Sequence, residues 1–195
     1  VKWLARAGLV LGLLYVLVYG LGYAVGVIPS PLRDLALIEV GLVEDVRPQL
    51  QNGEPPRSGQ PYLRVTVSSS QNLIAKGEAG ELNIYALVAD CADADATYPA
   101  FGPFHHGLHV SPLHLDSQHP GFAELGKARA DLYAYQLFVP IRGRLRSASD
   151  FNRPMPEYDL RRGFRTLCVR IGGGNMMGGY FRSNEIRILI PGAAE

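Results

Sequence analysis

From Ala7 to Ile28 the chain runs 22 residues without a charged side chain. As a helix, at about 1.5 Å rise per residue, such a run reaches roughly 33 Å, enough to cross a hydrocarbon core of about 30 Å. It is longer than the apolar region of a cleaved signal peptide, about 7–15 residues, and Ala24-Val-Gly26 makes a poor cleavage site. No cysteine lies near it to carry a lipid. The run therefore predicts an uncleaved signal anchor within residues 1–30, ahead of a cleaved signal peptide or a buried soluble helix. Lys2 and Arg6 precede it and stay inside, which places the N-terminus in the cytoplasm and the rest of the chain outside. Arginine outnumbers lysine by 16 to 3, a bias of high-GC bacteria. The expected location is a bacterial inner membrane, with the C-terminal domain in the periplasm.

The anchor is not uniform. At about 100° per residue, Gly8, Gly12, Tyr15, Tyr19, Gly22, Tyr23 and Gly26 fall in one sector of roughly 100°. Gly8/Gly12 and Gly22/Gly26 have the small-x-x-x-small spacing that lets a second helix approach closely. A tyrosine hydroxyl in hydrocarbon also favours a hydrogen-bond partner. This face is a candidate contact with a membrane-embedded partner or a second copy. The alternative is that glycine and tyrosine are simply common in spanning helices.

Beyond the anchor, 17 basic residues stand against 18 acidic ones, so the exported part carries no basic excess to serve as a nucleic-acid footprint. Hydrophobic residues make up 47% of the chain and charged residues 19%, which excludes a disordered chain. The length left over suits one domain. The division expected is an anchor over 1–30, a juxtamembrane segment with a first strand and loop over 31–60, and a domain over 61–195 that begins as early as residue 38.

Ser30-Pro31 suits the opening of a short helix or a linker, followed by a strand near Glu39–Val46. Gln51 to Gly59 reads as a loop. Alternating apolar residues then predict strands at Tyr62–Val67, Gly80–Ala89, Leu132–Val139, Phe164–Ile171 and Glu185–Ile190, with one short helix over Gly121–Asp131. The fold class expected is mainly β: an N-terminal transmembrane helix followed by an antiparallel β-sandwich of immunoglobulin-like architecture.

Cys91 and Cys168 are the only cysteines, and in an exported domain they can pair. A bridge from an early strand to a late one is similar to the inter-sheet pin of immunoglobulin-like sandwiches, although the usual core tryptophan is missing, Trp3 being the only one.

All five histidines lie between residues 105 and 119. Imidazole is the commonest transition-metal ligand, so His105, His106, His109 and His114 are candidate ligands, with His119 following and Asp90, Asp93 and Asp95 nearby. Pro103, Gly107 and Pro112 argue against a helix there. On a continuous strand His105 and His109 would share one face. The alternative is a surface loop with ordinary histidines.

Arg142, Arg144 and Arg146 share one side of an extended chain, and Arg161, Arg162 and Arg165 form a second basic group. They could meet an acidic partner or lipid phosphates, or pair locally with Asp150, Glu157 and Asp159. Gly172 to Gly179 fails the phosphate-loop pattern, since Tyr180 follows where Lys-Ser/Thr is needed. It reads as a flexible hairpin tip, with Met176 and Met177 either tucked against the domain or offered to a partner. No Gly-x-Ser-x-Gly elbow or assignable carboxylate pair points to catalysis.

These features point to binding rather than catalysis. The expected protein is a membrane-anchored periplasmic β-sandwich that binds another protein, as an accessory subunit of an envelope complex or an immunity or inhibitor-type protein. The alternative is a metal-dependent envelope hydrolase or metal-binding protein that uses the histidine segment, with a transition metal as its cofactor.

Overall fold

The computed structural model describes residues 8–17, 20, 31–44, 60–112, 132–150, 152–162, 165–176 and 178–190. The chain is mainly β, and its strands form several antiparallel sheets. One sheet has five strands in the order β1 (Ala36–Val43), β2 (Tyr62–Ser69), β7 (Tyr133–Pro140), β5 (Phe101–His105) and β6 (Leu108–His109). A larger sheet is built on β11 (Arg165–Gly174), which pairs β3 (Asn83–Asp90) on one side. On its other side β13 (Ile186–Ile190) takes the first half of β11 and β12 (Tyr180–Arg182) takes the second. β4 (Ala96–Tyr98) and β9 (Arg146–Ser147) extend that sheet beyond β3. A small ribbon pairs β8 (Arg142–Arg144) with β10 (Glu157–Asp159).

Alternation explains how the sheets meet. Leu63, Val65 and Val67 of β2 and Tyr135, Leu137 and Val139 of β7 point to one face of the first sheet. Ile84 and Val88 of β3, Leu167, Val169 and Ile171 of β11, and the isoleucines of β13 point to one face of the second. All of them belong to one buried hydrophobic cluster. Leu32 and Leu35 join it, so the chain enters the core before β1 begins. The first sheet is buried on its opposite face as well, where Tyr62, Phe104 and Phe138 form a second cluster.

Two local expectations change and one is narrowed. Of the short helix or linker expected after Ser30-Pro31, residues 31–35 form no helix, and their backbone groups are used elsewhere. The Leu32 carbonyl accepts from Asn184 N at 2.9 Å, and the Asn184 amide bonds both N and O of Leu35 at 2.9 and 2.8 Å. Gly80 does not open a strand; it ends α2 (Leu73–Gly80), a helix with no counterpart in the sequence reading. Asn72 caps α2 by accepting from Ile74 N and Ala75 N, and Glu81, with φ 50°, closes it. The Tyr135 hydroxyl ties its entrance to β7, accepting from Leu73 N and donating to Gln71 O. Finally, Cys91 and Cys168 are bonded, but within one sheet. Cys168 lies opposite Ala89 of the neighbouring β3, and Cys91 N donates to Thr166 O. The bond staples adjacent strands and is not an inter-sheet pin.

Residues 8–17 are helical, here α1. Among the described residues no helix is long and apolar enough to cross a membrane. Tyr19, Gly22, Tyr23 and Gly26 of the expected span lie outside the described residues, as do the loop 51–59 and the helix expected over 121–131.

Candidate functional site

The histidine segment folds into the β5–β6 hairpin. His106 (φ 49°) and Gly107 (φ 82°) form its two-residue turn, both in the left-handed region that tight hairpin turns use. This turn undoes the expectation that His105 and His109 share a face. Phe104 pairs with His109, and His105 pairs with Leu108, so the two imidazoles stand on opposite faces. His105 is buried; its Nδ1 donates to Ala134 O at 2.7 Å, and its ring packs against Tyr133, Tyr135 and His106. Burial pushes its pKa below the ordinary value. His109 Nδ1 accepts from Ser111 N, and its ring meets Phe104 edge-on at 5.2 Å. His114 and His119 lie outside the described residues, and among the described residues no three His, Cys, Asp or Glu side chains gather to hold a metal. Asp95 instead binds Ser147 Oγ and Ser149 N, and these hydrogen bonds, with Ser149 first, hold its carboxyl low.

The arginine rows are met by local carboxylates. Arg142 and Arg144 of β8 lie opposite Asp159 and Glu157 of β10 and bond them at 2.6 and 3.3 Å. Asp159 also holds Arg161, whose hydrogen bond is the main reason its carboxyl sits far below the usual range. Arg165 lies between Tyr98 and Asp90. Arg146 and Arg162 remain exposed. The ribbon is therefore mostly a set of cross-strand ion pairs, each worth little on a solvated face.

The glycine-rich segment is the part that offers something outward. Gly172, Gly173 and Gly174 are not a flexible tip; they are the end of β11, opposite β3 and β12. A Cβ on Gly173 would come 2.4 Å from the Phe181 ring, and one on Gly172 would come 3.2 Å from Tyr85. Aromatic side chains from the two neighbouring strands thus occupy the space the glycines leave, one on each face of β11. The turn proper is Asn175–Gly179, and Asn175 organises it. Its Oδ1 accepts from Gly179 N at 2.8 Å, its backbone N donates to Gly179 O, and its Nδ2 donates to Gly80 O at the end of α2. Gly178 supplies the left-handed residue the turn needs (φ 83°). On this stapled tip Met176 is 105% exposed, and Tyr180 is exposed beside it. Met176 is exposed rather than tucked against the domain; Met177 lies outside the described residues.

The remaining outward feature is α1. Its large apolar side chains, Leu9 to Leu17, are each between 58% and 68% exposed, and a Cβ on Gly8 or Gly12 would meet nothing within 4 Å. Comparison with known proteins found no matching family model, no similar curated protein and no similar solved structure.

Proposed function

We propose that this chain is a single-pass, membrane-tethered protein whose exported β-sandwich, immunoglobulin-like in architecture, acts by binding another protein, as an accessory subunit of an envelope complex or an immunity or inhibitor-type protein. The observation that carries the tether is α1. Its large apolar side chains, Leu9, Val10, Leu11, Leu13, Leu14, Val16 and Leu17, are all exposed among the described residues. Leaving that area in water costs about 25 cal/mol per Å², and a bilayer removes the cost. Two sheets that share one core support the sandwich. Lys2 and Arg6 ahead of α1, and the Cys91–Cys168 bond in the domain, both favour export from a bacterial cytoplasm to the periplasm.

Binding is favoured over catalysis by where the polar side chains go. Among the described residues His105, His109, Arg142, Arg144 and Arg161 are occupied by neighbours, whereas Met176 stands fully exposed on a braced turn. A soft, unbranched side chain in that position suits a protein contact. Protease added to intact spheroplasts tests the topology: the domain should be degraded, and a domain cleaved only after lysis would exclude the export. Co-purification from native membranes with wild-type and Met176→Glu protein tests the contact. A partner retained equally by both would remove the tip from the interface.

A further inference from the structure

β1 is the outer strand of the five-stranded sheet, and among the described residues nothing pairs with its far side. Natural sheet edges are blunted by short length, lysine, proline or bulges. At the other edge of this sheet β6 is two residues long. β1 is eight residues long, Ala-Leu-Ile-Glu-Val-Gly-Leu-Val, with one charge, and its bulge between Leu37 and Glu39 guards only the first end. Leu37, Ile38 and Leu42 are 43%, 55% and 66% exposed. An apolar strand with open backbone donors and acceptors calls for another strand.

The sequence of β1 is complementary to itself. With a two-fold axis at Val40 and a second β1 antiparallel to the first, Val40 faces its own copy, Glu39 faces Gly41, and the exposed Leu42 comes beside the bulged Ile38 of the other chain. The charges fit as well. Arg64 of β2 lies opposite Gly41, and its Nη2 would be 3.8 Å from a Cβ there. That guanidinium bonds Glu39 Oε1 at 2.9 Å, and its buried Nε has no partner among the described residues. A second copy brings its own Glu39 opposite Gly41, beside the same guanidinium. Two glutamates and two arginines then alternate across the seam with no net charge.

We propose that β1 is a self-pairing edge: two copies of this chain join β1 to β1 antiparallel and continue the five-stranded sheet into one of ten strands. The inference names a second copy as a partner under the protein-binding reading above, and it rests on the tether only in that two copies in one membrane meet at high effective concentration.

The test uses the full chain in proteoliposomes. Cys91 and Cys168 are bonded to each other, so a new cysteine is the one free thiol among the described residues. Val40→Cys is expected to give mostly covalent dimer under mild oxidation, about tenfold above Leu189→Cys, an exposed site on the other sheet. Because Val40 also packs on the core, Leu42→Lys supplies a second readout at an exposed position. It should convert a detergent-solubilised dimer, sized by light scattering, to a monomer with an unchanged melting temperature. Equal cross-linking of the two cysteine variants, cross-linking only to a different protein, or a monomeric wild type at micromolar concentration would overturn the proposal. Carbonate extraction of the same vesicles tests the tether separately. Protein that carbonate releases but that still cross-links keeps the edge and loses the anchor, and retained protein that does not cross-link does the reverse.

Discussion

The β5–β6 hairpin turns an imidazole into the protein, whereas the β11–β12 hairpin turns a methionine out of it. Both are tight, and both use left-handed residues at the turn. They differ in what braces them. The first is held by its own conspicuous side chains: His105 reaches Ala134 O of the adjacent β7 and is enclosed by Tyr133 and Tyr135. The second is held by residues of little chemical reactivity, namely Asn175, Phe181 and three glycines. Reactive residue types can be used for packing, and the surface left exposed is then the one that inert residues support.

The largest effect expected on this contrast is in the stem of the second hairpin. The disulfide fixes β11 to β3 and closes a loop of 77 residues. Cys91→Ser with Cys168→Ser should lower the unfolding free energy by roughly 4–5 kcal/mol on the loop-entropy model, read from urea denaturation. A loss below about 1 kcal/mol would mean that the ladder holds the stem without the bond.

Next in size is Gly173→Ala. The added Cβ meets the buried Phe181 ring, so the ring must move, and Lys76 Nζ, 5.0 Å above that ring, moves with it. A cost of about 1–3 kcal/mol is expected in thermal unfolding. No change would return these glycines to the role of a flexible linker.

The main strands were legible because they alternate: Tyr62–Val67, Leu132–Val139 and Glu185–Ile190 each map onto a strand within a few residues. The cysteine pair was legible from composition, but its place in one sheet was not, since strand order is a long-range property that spacing does not carry. α2 was missed because eight residues containing Gly77 and Gly80 show little helical period. Its available signal was Asn72, a capping residue directly before Leu73-Ile-Ala-Lys76. The face assignment of the histidines failed on one residue. His106 takes a left-handed conformation that few non-glycine residues adopt, and a turn there reverses every facing beyond it. The exposed tip was half legible: the methionine was visible in the sequence, but the staple from Asn175 to Gly80 spans 95 residues.

A smaller effect separates the first hairpin by pH. Burial depresses the His105 pKa in the folded chain, so the neutral ring is the one the fold accepts. As the pH falls below the ordinary value of about 6.5, the unfolded chain takes up a proton that the folded chain refuses, and stability declines until the folded pKa is passed. The depressed carboxyls of Asp159, Glu185 and Asp95 act in a different window, losing their contribution only below about pH 4. The urea midpoint should therefore drop between about pH 7 and about pH 5, and His105→Gln should flatten that drop. An equal slope in both proteins would show that His105 is not the group that titrates.

The smallest stability effect belongs to Met176, and its smallness is the point. A side chain that is wholly exposed contributes nothing to the core, so Met176→Ser should shift the unfolding free energy by no more than about 0.5 kcal/mol. Asn175→Ala removes the bonds to Gly179 N and Gly80 O and should cost about 1–2 kcal/mol. The two variants separate presentation from contact. If the tip binds a partner, Met176→Ser loses capture from native membranes while melting like wild type, and Asn175→Ala loses capture because the methionine is no longer held in place. Capture lost with Asn175→Ala but kept with Met176→Ser would move the contact from the methionine to the turn backbone or to Tyr180. That result would place the binding energy of the second hairpin outside its methionine.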